Sequence, residues 1–399
     1  MTDNRQKAVY VFMAVVSLTG LALGISDSIF ANYFRDAFNV YALQRGIIEL
    51  PRESPGVIVM FIVSALAFVG DMKLALAAQL LSIFGLLAMG LLNPSFTLML
   101  IFLFIYSLGF HMFLPLYDSI GMSLAKEGEV GKAMGRFNSL RTGFSMIAGI
   151  WVFVGFRSGF FSFTTPIILN FVIAGGLLIV VFMLLLYMRR LVKENKTAKS
   201  RFVLKKEYKL FYMLACLVGA KRQIMYVYGP WVLIELLGFG ADVMSLLIIA
   251  GAGFGMLIIP IVGRWIDKYG TARILVAEGI ILLVIYSGYG IISAGLHEGW
   301  LIGIGSVAVL AAAISVTDRM TMQFAMVRSV YMRSIALEPE DVTPTLATGM
   351  AVDHVLSIAG AIICGYLWWE WGPQYVFVFA GVLAVLNIVI AQKIQKASE

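Results

Sequence analysis

The chain is 399 residues long, 60% hydrophobic and only 13% charged, with a net charge of +7 and a mean hydropathy of +0.91. A soluble domain holds about 45–50% apolar and about 25% charged residues, and a single soluble core stops growing near about 250–300 residues; an ordinary globular protein is excluded. The cations gather in alternate loops and not on a stripe interleaved with aromatic residues, which argues against a nucleic-acid partner.

Lipid is the implied solvent. A hydrocarbon core about 30 Å thick takes roughly 20 apolar residues per helix, and such runs recur almost end to end. The first, 8–34, follows Arg5 and Lys7. It is longer than the about 7–15 residues of a signal-peptide core and has no small-residue cleavage site, so it reads as a retained first membrane helix. Further helices are expected at 43–69, 72–92, 95–124, 134–156 and 164–190, and then at 207–237, 241–265, 272–295, 299–326, 345–369 and 373–394.

Asp27 stands in the first of these, in its outer half. The second is short of apolar residues: Gly56 to Gly70 spans about 22 Å at 1.5 Å per residue, below the roughly 30 Å required. It has to extend through GIIELPRESPG, with Glu49, Pro51, Arg52, Glu53 and Pro55. Lipid rejects such a segment, so it should line a polar cavity, with its prolines releasing backbone carbonyls. Arg52 and Asp27 come out at comparable depth, which allows them to pair. They serve either a fixed helix-holding ion pair or a substrate or proton site with Glu53.

Late in the fourth helix lies Asp118, and early in the fifth Arg141, both near the cytoplasmic side. A basic linker, 191–207, then separates two parts of nearly equal length, 1–190 and 208–399. The seventh helix brings Lys221 and Arg222 to the membrane middle, followed by Tyr226 and Trp231. Adjacent helical positions point about 100° apart, so one cation can face a cavity while the other meets an acid. The two readings are capture of an anionic group on the solute and pairing with an internal carboxylate. Tyr226 and Trp231 either touch solute or pack helices together.

The tenth helix carries Asp318 and Arg319, the eleventh Asp353 and His354 at similar depth; with Asp118 and Arg141 these read as gating or structural pairs within each half. His354 beside Asp353 is the proton-relay candidate, because imidazole titrates near neutrality. Glu278 in the ninth helix has no evident partner. Cys216 and Cys364 both fall in apolar runs, so neither a disulfide nor a metal site is expected. Without a phosphate-binding glycine loop, a metal-spaced His/Cys set or a nucleophile motif, neither catalysis nor a cofactor is expected.

Cation placement orients the chain. With the N-terminus in the cytoplasm, Lys and Arg concentrate on the cytoplasmic side; only Arg35, Arg45 and Arg157 fall opposite, apart from Arg52, Arg141, Lys221, Arg222 and Arg319 inside spans. This is the positive-inside pattern and puts both termini in the cytoplasm.

Between the eighth and ninth helices stands GRWIDKYGTARIL, where Gly263, Asp267, Lys268, Gly270 and Arg273 fill the positions of G-x-x-x-D-[RK]-x-G and its following basic residue. Glycines there permit a tight turn and close helix approach, and Asp267 can accept hydrogen bonds at a neighbouring helix N-terminus. This segment resembles the signature loop of the major facilitator superfamily. The resemblance implies an all-α integral membrane fold, with 12 transmembrane helices in two pseudo-symmetric six-helix bundles, and a loop that latches the cytoplasmic gate. The matching loop between helices 2 and 3 keeps only Asp71 and Lys73, and helix 5 lacks the G-P-x-x-G-G element of the family's drug–proton antiporters.

The expected function is secondary active transport of a small polar solute, by rocking of two halves about a midplane site. The solute is anionic if Lys221 or Arg222 binds it, and transport is proton-coupled if Asp27, Glu53 or His354 titrates. The rivals are efflux of amphipathic compounds and a non-transporting membrane sensor or assembly partner. The expected setting is the cell membrane, in which the chain acts as a multi-pass monomer in contact with lipid.

Overall fold

The structure is a computed structural model of the chain and describes residues 3–66, 68–126, 129–192, 204–303, 305–338 and 341–398. Every regular element among them is helical: α1 (Asp3–Phe38), α2 (Ala42–Ala65), α3 (Asp71–Leu91), α4 (Phe96–Leu124), α5 (Val130–Arg157), α6 (Leu169–Leu191), α7 (Lys209–Trp231), α8 (Ala241–Tyr269), α9 (Thr271–Glu298), α10 (Ser306–Thr321), α11 (Ala325–Ile335), α12 (Val342–Trp371) and α13 (Pro373–Ser398). A 3-10 turn precedes α7, a π turn (Val232–Leu236) ends it, and a 3-10 turn (Met322–Phe324) separates α10 from α11. Helices are the form lipid demands, since each closes its own backbone hydrogen bonds.

Among the described residues ten helices are long and apolar enough to cross a membrane, against the twelve expected; α2 and α10 are the expected spans that fall short. Glu49, Arg52 and Glu53 interrupt the apolar character of α2, and α10 is only 16 residues long. Apolar side chains recur on exposed helix faces at helical spacing, as with Ile147, Trp151 and Val154 on α5 and Val378, Val382 and Val385 on α13. Such stripes suit hydrocarbon. The chain is a multi-pass membrane protein.

The tenth expected helix, 299–326, is the one the structure redraws. It begins only at Ser306, because Gly299 and Gly305 take positive φ (82° and 63°) and hold the preceding turn open. It breaks at Met322 and resumes as α11, most of which lies between the expected helices 299–326 and 345–369. The seventh expected helix, 207–237, is present as one span from Lys206 to Leu236, whose last turn, Val232–Leu236, changes to π geometry beyond Pro230. Pro51 and Pro55 do not interrupt α2. Lacking N–H groups, they leave the carbonyls of Ile47 and Pro51 without their usual helical donors. Of the basic linker, 193–203 lies outside the described residues.

The chain divides into two compact units, one of residues 1–39 and 54–199, the other of 40–53 and 200–399. In the first, α1 packs on α5 and α6, and α3 on α4 and α6. Gly24 lets α1 meet the Ser145 carbonyl, where a Cβ would stand at 2.5 Å. In the second, α7 packs on α12 and α13, α9 on α13, and α8 on α10. The start of α2 belongs to this second unit. A Cβ on Gly46 would stand 2.5 Å from the Ala361 carbonyl, which itself accepts a 2.6 Å hydrogen bond from the Tyr228 hydroxyl.

Candidate functional site

Two polar systems occupy the second unit. The first is built on α2. Arg45 contacts Glu49 one turn later at 2.5 Å, and Arg52 contacts Glu49 at 2.7 Å and Glu53 at 3.0 Å. Spacings of three and four residues put these groups on one helical face, so alternating charges neutralise one another. Gln223 of α7 donates to Glu49, and the Arg52 guanidinium lies over the Tyr226 ring, 4.4 Å from its centroid. At the lower end His354 of α12 meets Glu53 at 2.9 Å. Glu49 and Glu53 are buried, and an ionised group in such a place persists only with partners of this kind.

The second system surrounds a cavity of about 500 Å³ between α7, α9, α10, α11 and α12. Three cations and three acids line it: Lys221, Arg222 and Arg328, with Glu278, Asp318 and Asp353. Lys221 reaches Glu278 at 2.9 Å, and Arg328 reaches the same carboxylate oxygen at 3.4 Å. Arg222 contacts Asp353 at 3.0 Å and donates to the Ser357 hydroxyl at 3.3 Å. Gly219 brings α7 against the Asp353 backbone, where a side chain would collide. Apolar walls (Phe211, Leu282, Tyr286, Met350) complete the lining.

The expected residues therefore sort by neighbourhood. Arg52, Glu53, Tyr226 and His354 come together in the α2 system, and Lys221, Arg222, Asp318 and Asp353 around the cavity. His354 and Asp353, adjacent in sequence, serve different systems. So do Asp318 and Arg319: the Arg319 side chain lies against Gly251 of α8 and takes no part in the cavity lining. Trp231 is fully buried at the end of α7, away from that lining. Asp27 is exposed on α1 in the first unit. In that unit Arg141 lies over the Tyr117 ring at 5.1 Å, and it forms no ion pair with exposed Asp118 among the described residues.

The signature segment is a helical junction. Gly263, Asp267 and Lys268 sit in the last turns of α8, Gly270 caps α8 with φ 78° and donates to the Ile266 carbonyl, and Arg273 opens α9. Asp267 is exposed, and no side chain caps α9. Among the described residues nothing comes within 4 Å of a Cβ built on Gly263, so close approach is not its reason there. Gly70 takes the same kind of conformation before α3 (φ 98°), and Asp71 accepts a hydrogen bond from Ser119.

Sequence reasoning passed over Arg328, which lies just beyond the expected tenth helix, and the mutual fit of Glu49 with Gln223. Arg45, Glu49 and Arg52 already carry helical spacing, which was the available signal for the ladder. Lys221 and Glu278 lie 57 positions apart, and only packing joins them.

Several solved structures share the fold. The nucleoside transporter NupG superposes with a TM-score of 0.73 at 12% identity, covering 98% of this chain and 98% of that one. The POT family transporter PepTSo gives 0.77 at 12% identity over 98% of both chains. A bacterial homologue of the iron transporter ferroportin gives 0.70 at 13%, over 97% of this chain and 98% of that one. Comparison with curated proteins returns no match. The family model described as Major Facilitator Superfamily matches residues 12–337, which is most of the chain. With the many-helix membrane fold, that match makes the chain a member of the major facilitator superfamily, and so a membrane transporter and not an enzyme.

Proposed function

We propose that the chain is a secondary active transporter that carries a small polar solute by alternating access, with the cavity of the second unit as part of its solute site. The observation that carries this reading is the lining of that cavity: three cationic and three acidic side chains face one space of about 500 Å³ inside a unit whose exposed helix faces are apolar. Charges are expensive in lipid and mark functional paths when found there. The volume suits a small solute.

In this reading twelve helices cross the bilayer as two six-helix halves, 1–190 and 208–399, α2 and α10 included. Short apolar length is tolerated in α2 because its polar half faces protein. Both termini are cytoplasmic in this reading, which the placement of Lys and Arg supports. Solute movement is coupled to protons through Glu53 and His354, whose 2.9 Å contact joins an acid to an imidazole.

Purified protein in liposomes tests the reading. Uptake of labelled solute should require the protein and rise when a pH gradient is imposed. Flux indifferent to the gradient removes the proton coupling. An absence of any carrier-type, saturable flux removes the transport site. A second reading, extrusion of amphipathic compounds, draws support from the apolar walls beside the acids; it predicts that cells lacking the protein become more drug-sensitive.

A further inference from the structure

The hydrogen-bond inventory of the cavity is lopsided. Lys221 and Arg328 both converge on one oxygen of Glu278, and the other oxygen, Oε2, is buried with no partner. Arg222 occupies Asp353 Oδ2, and Asp353 Oδ1 is likewise buried without one. Asp318, 6% exposed, lines the same space, and among the described residues no hydrogen bond or ion pair reaches its carboxylate. Every buried side-chain atom of the lining that stands without a partner is a carboxylate oxygen.

An unmatched carboxylate oxygen is costly in a low-dielectric interior and is relieved by a donor, best a charged one. An anionic solute cannot relieve it, because it brings more acceptors and a charge of the same sign. The cavity cations do not redress the balance: each is engaged by a carboxylate already. A protonated amine has what is missing, three N–H donors and one positive charge. The three acids stand on three different helices, α9, α10 and α12, which is the arrangement a compact ammonium group can bridge. Tyr286, which also lines the cavity, offers an aromatic face to a cation, and the apolar walls suit the carbon skeleton.

We propose that the cavity takes a solute bearing a protonated amine, seated on Asp318 with the free oxygens of Glu278 and Asp353 around it. This rests on the reading of the cavity as the solute site and narrows it to a substrate class.

Calorimetric titration of the full chain in lipid nanodiscs with n-butylamine, butyrate and n-butanol, three probes of equal chain length, tests it. The amine should bind about ten-fold or more tightly than either of the others, the ratio expected of charge-assisted hydrogen bonds. Asp318→Asn should remove that advantage, Asp318→Glu should restore part of it, and Glu370→Gln, an exposed acid at the end of α12, should leave it intact. Equal binding of all three probes, no binding of the amine, or amine binding unchanged in Asp318→Asn overturns the proposal. Butyrate binding that is stronger than the amine's and is lost in Arg222→Gln would overturn the amine and keep the cavity as a solute site. Binding that survives Asp318→Asn, Arg222→Gln and Lys221→Met alike would overturn both.

Discussion

Glu278 carries two cations on one carboxylate oxygen, Lys221 and Arg328, and all three border the cavity. Glu278→Gln leaves Lys221, 4% exposed, without its counter-ion; removing one partner of a buried pair costs about 3–5 kcal/mol. The melting temperature in nanodiscs should fall clearly. Replacing the whole cluster, Lys221→Met and Arg328→Met with Glu278→Leu, should restore most of that loss while abolishing transport, because buried pairs add little net stability. A triple variant no more stable than Glu278→Gln alone would contradict this. A second residue-scale test lies outside the spans. Lys205 and then the Tyr208 hydroxyl donate to Asp341 (2.6 and 2.5 Å), holding its carboxyl below the usual carboxylate range, and the same bond to Asp341 raises the Lys205 ammonium. The lowered carboxyl stabilises the fold above about pH 4 and loses that contribution as pH falls through its folded value; the raised ammonium loses its contribution only as pH rises beyond about 10.4. Asp341→Asn should therefore lower the melting temperature at neutral pH, and the difference should shrink as pH falls below about 4. At this scale the sequence was informative wherever a charge interrupted an apolar run, as at Lys221, Arg222 and Asp318. It was silent on pairings such as Lys221 with Glu278, which depend on how α7 and α9 are packed.

Elements were legible for a similar reason. A run of apolar residues long enough for lipid announces itself, and α3, α4, α9 and α13 begin within a residue of the expected position. The α10–α11 region was not, since a 3-10 turn at Met322–Phe324 and glycines with positive φ obey local backbone geometry that hydropathy does not register. Glycine itself has different meanings at different positions. Gly270, at φ 78° and ψ 160°, holds a conformation that other residues adopt at a cost of about 1–3 kcal/mol. Gly270→Ala should lower the melting temperature accordingly. Gly46→Ala should also be destabilising, by about 1–3 kcal/mol of overpacking against the Ala361 carbonyl. Gly176→Ala in α6, with nothing within 4 Å of the new Cβ, should be neutral or mildly stabilising and serves as the comparison.

For the molecule as a whole, composition alone identified lipid as the solvent, and the signature segment pointed to the family that the sequence model then matched. Topology is testable directly. In a chain lacking Cys216 and Cys364, a cysteine placed by Lys393→Cys should react with a membrane-impermeant thiol reagent only from the cytoplasmic side, and one placed by Arg157→Cys only from the opposite side. The reverse pattern would invert the proposed orientation. What no pattern of hydropathy disclosed is that residues 40–53 keep company with the second unit. That companionship bears on how the protein is made. Gln223, which steadies Glu49, lies 174 positions downstream, and His354, which meets Glu53, lies 301 positions downstream. The ribosome thus releases a charged half-helix long before its stabilising neighbours have been translated. Biogenesis has to shelter α2, in the translocon or beside an insertase, until α7 and α12 arrive to complete it.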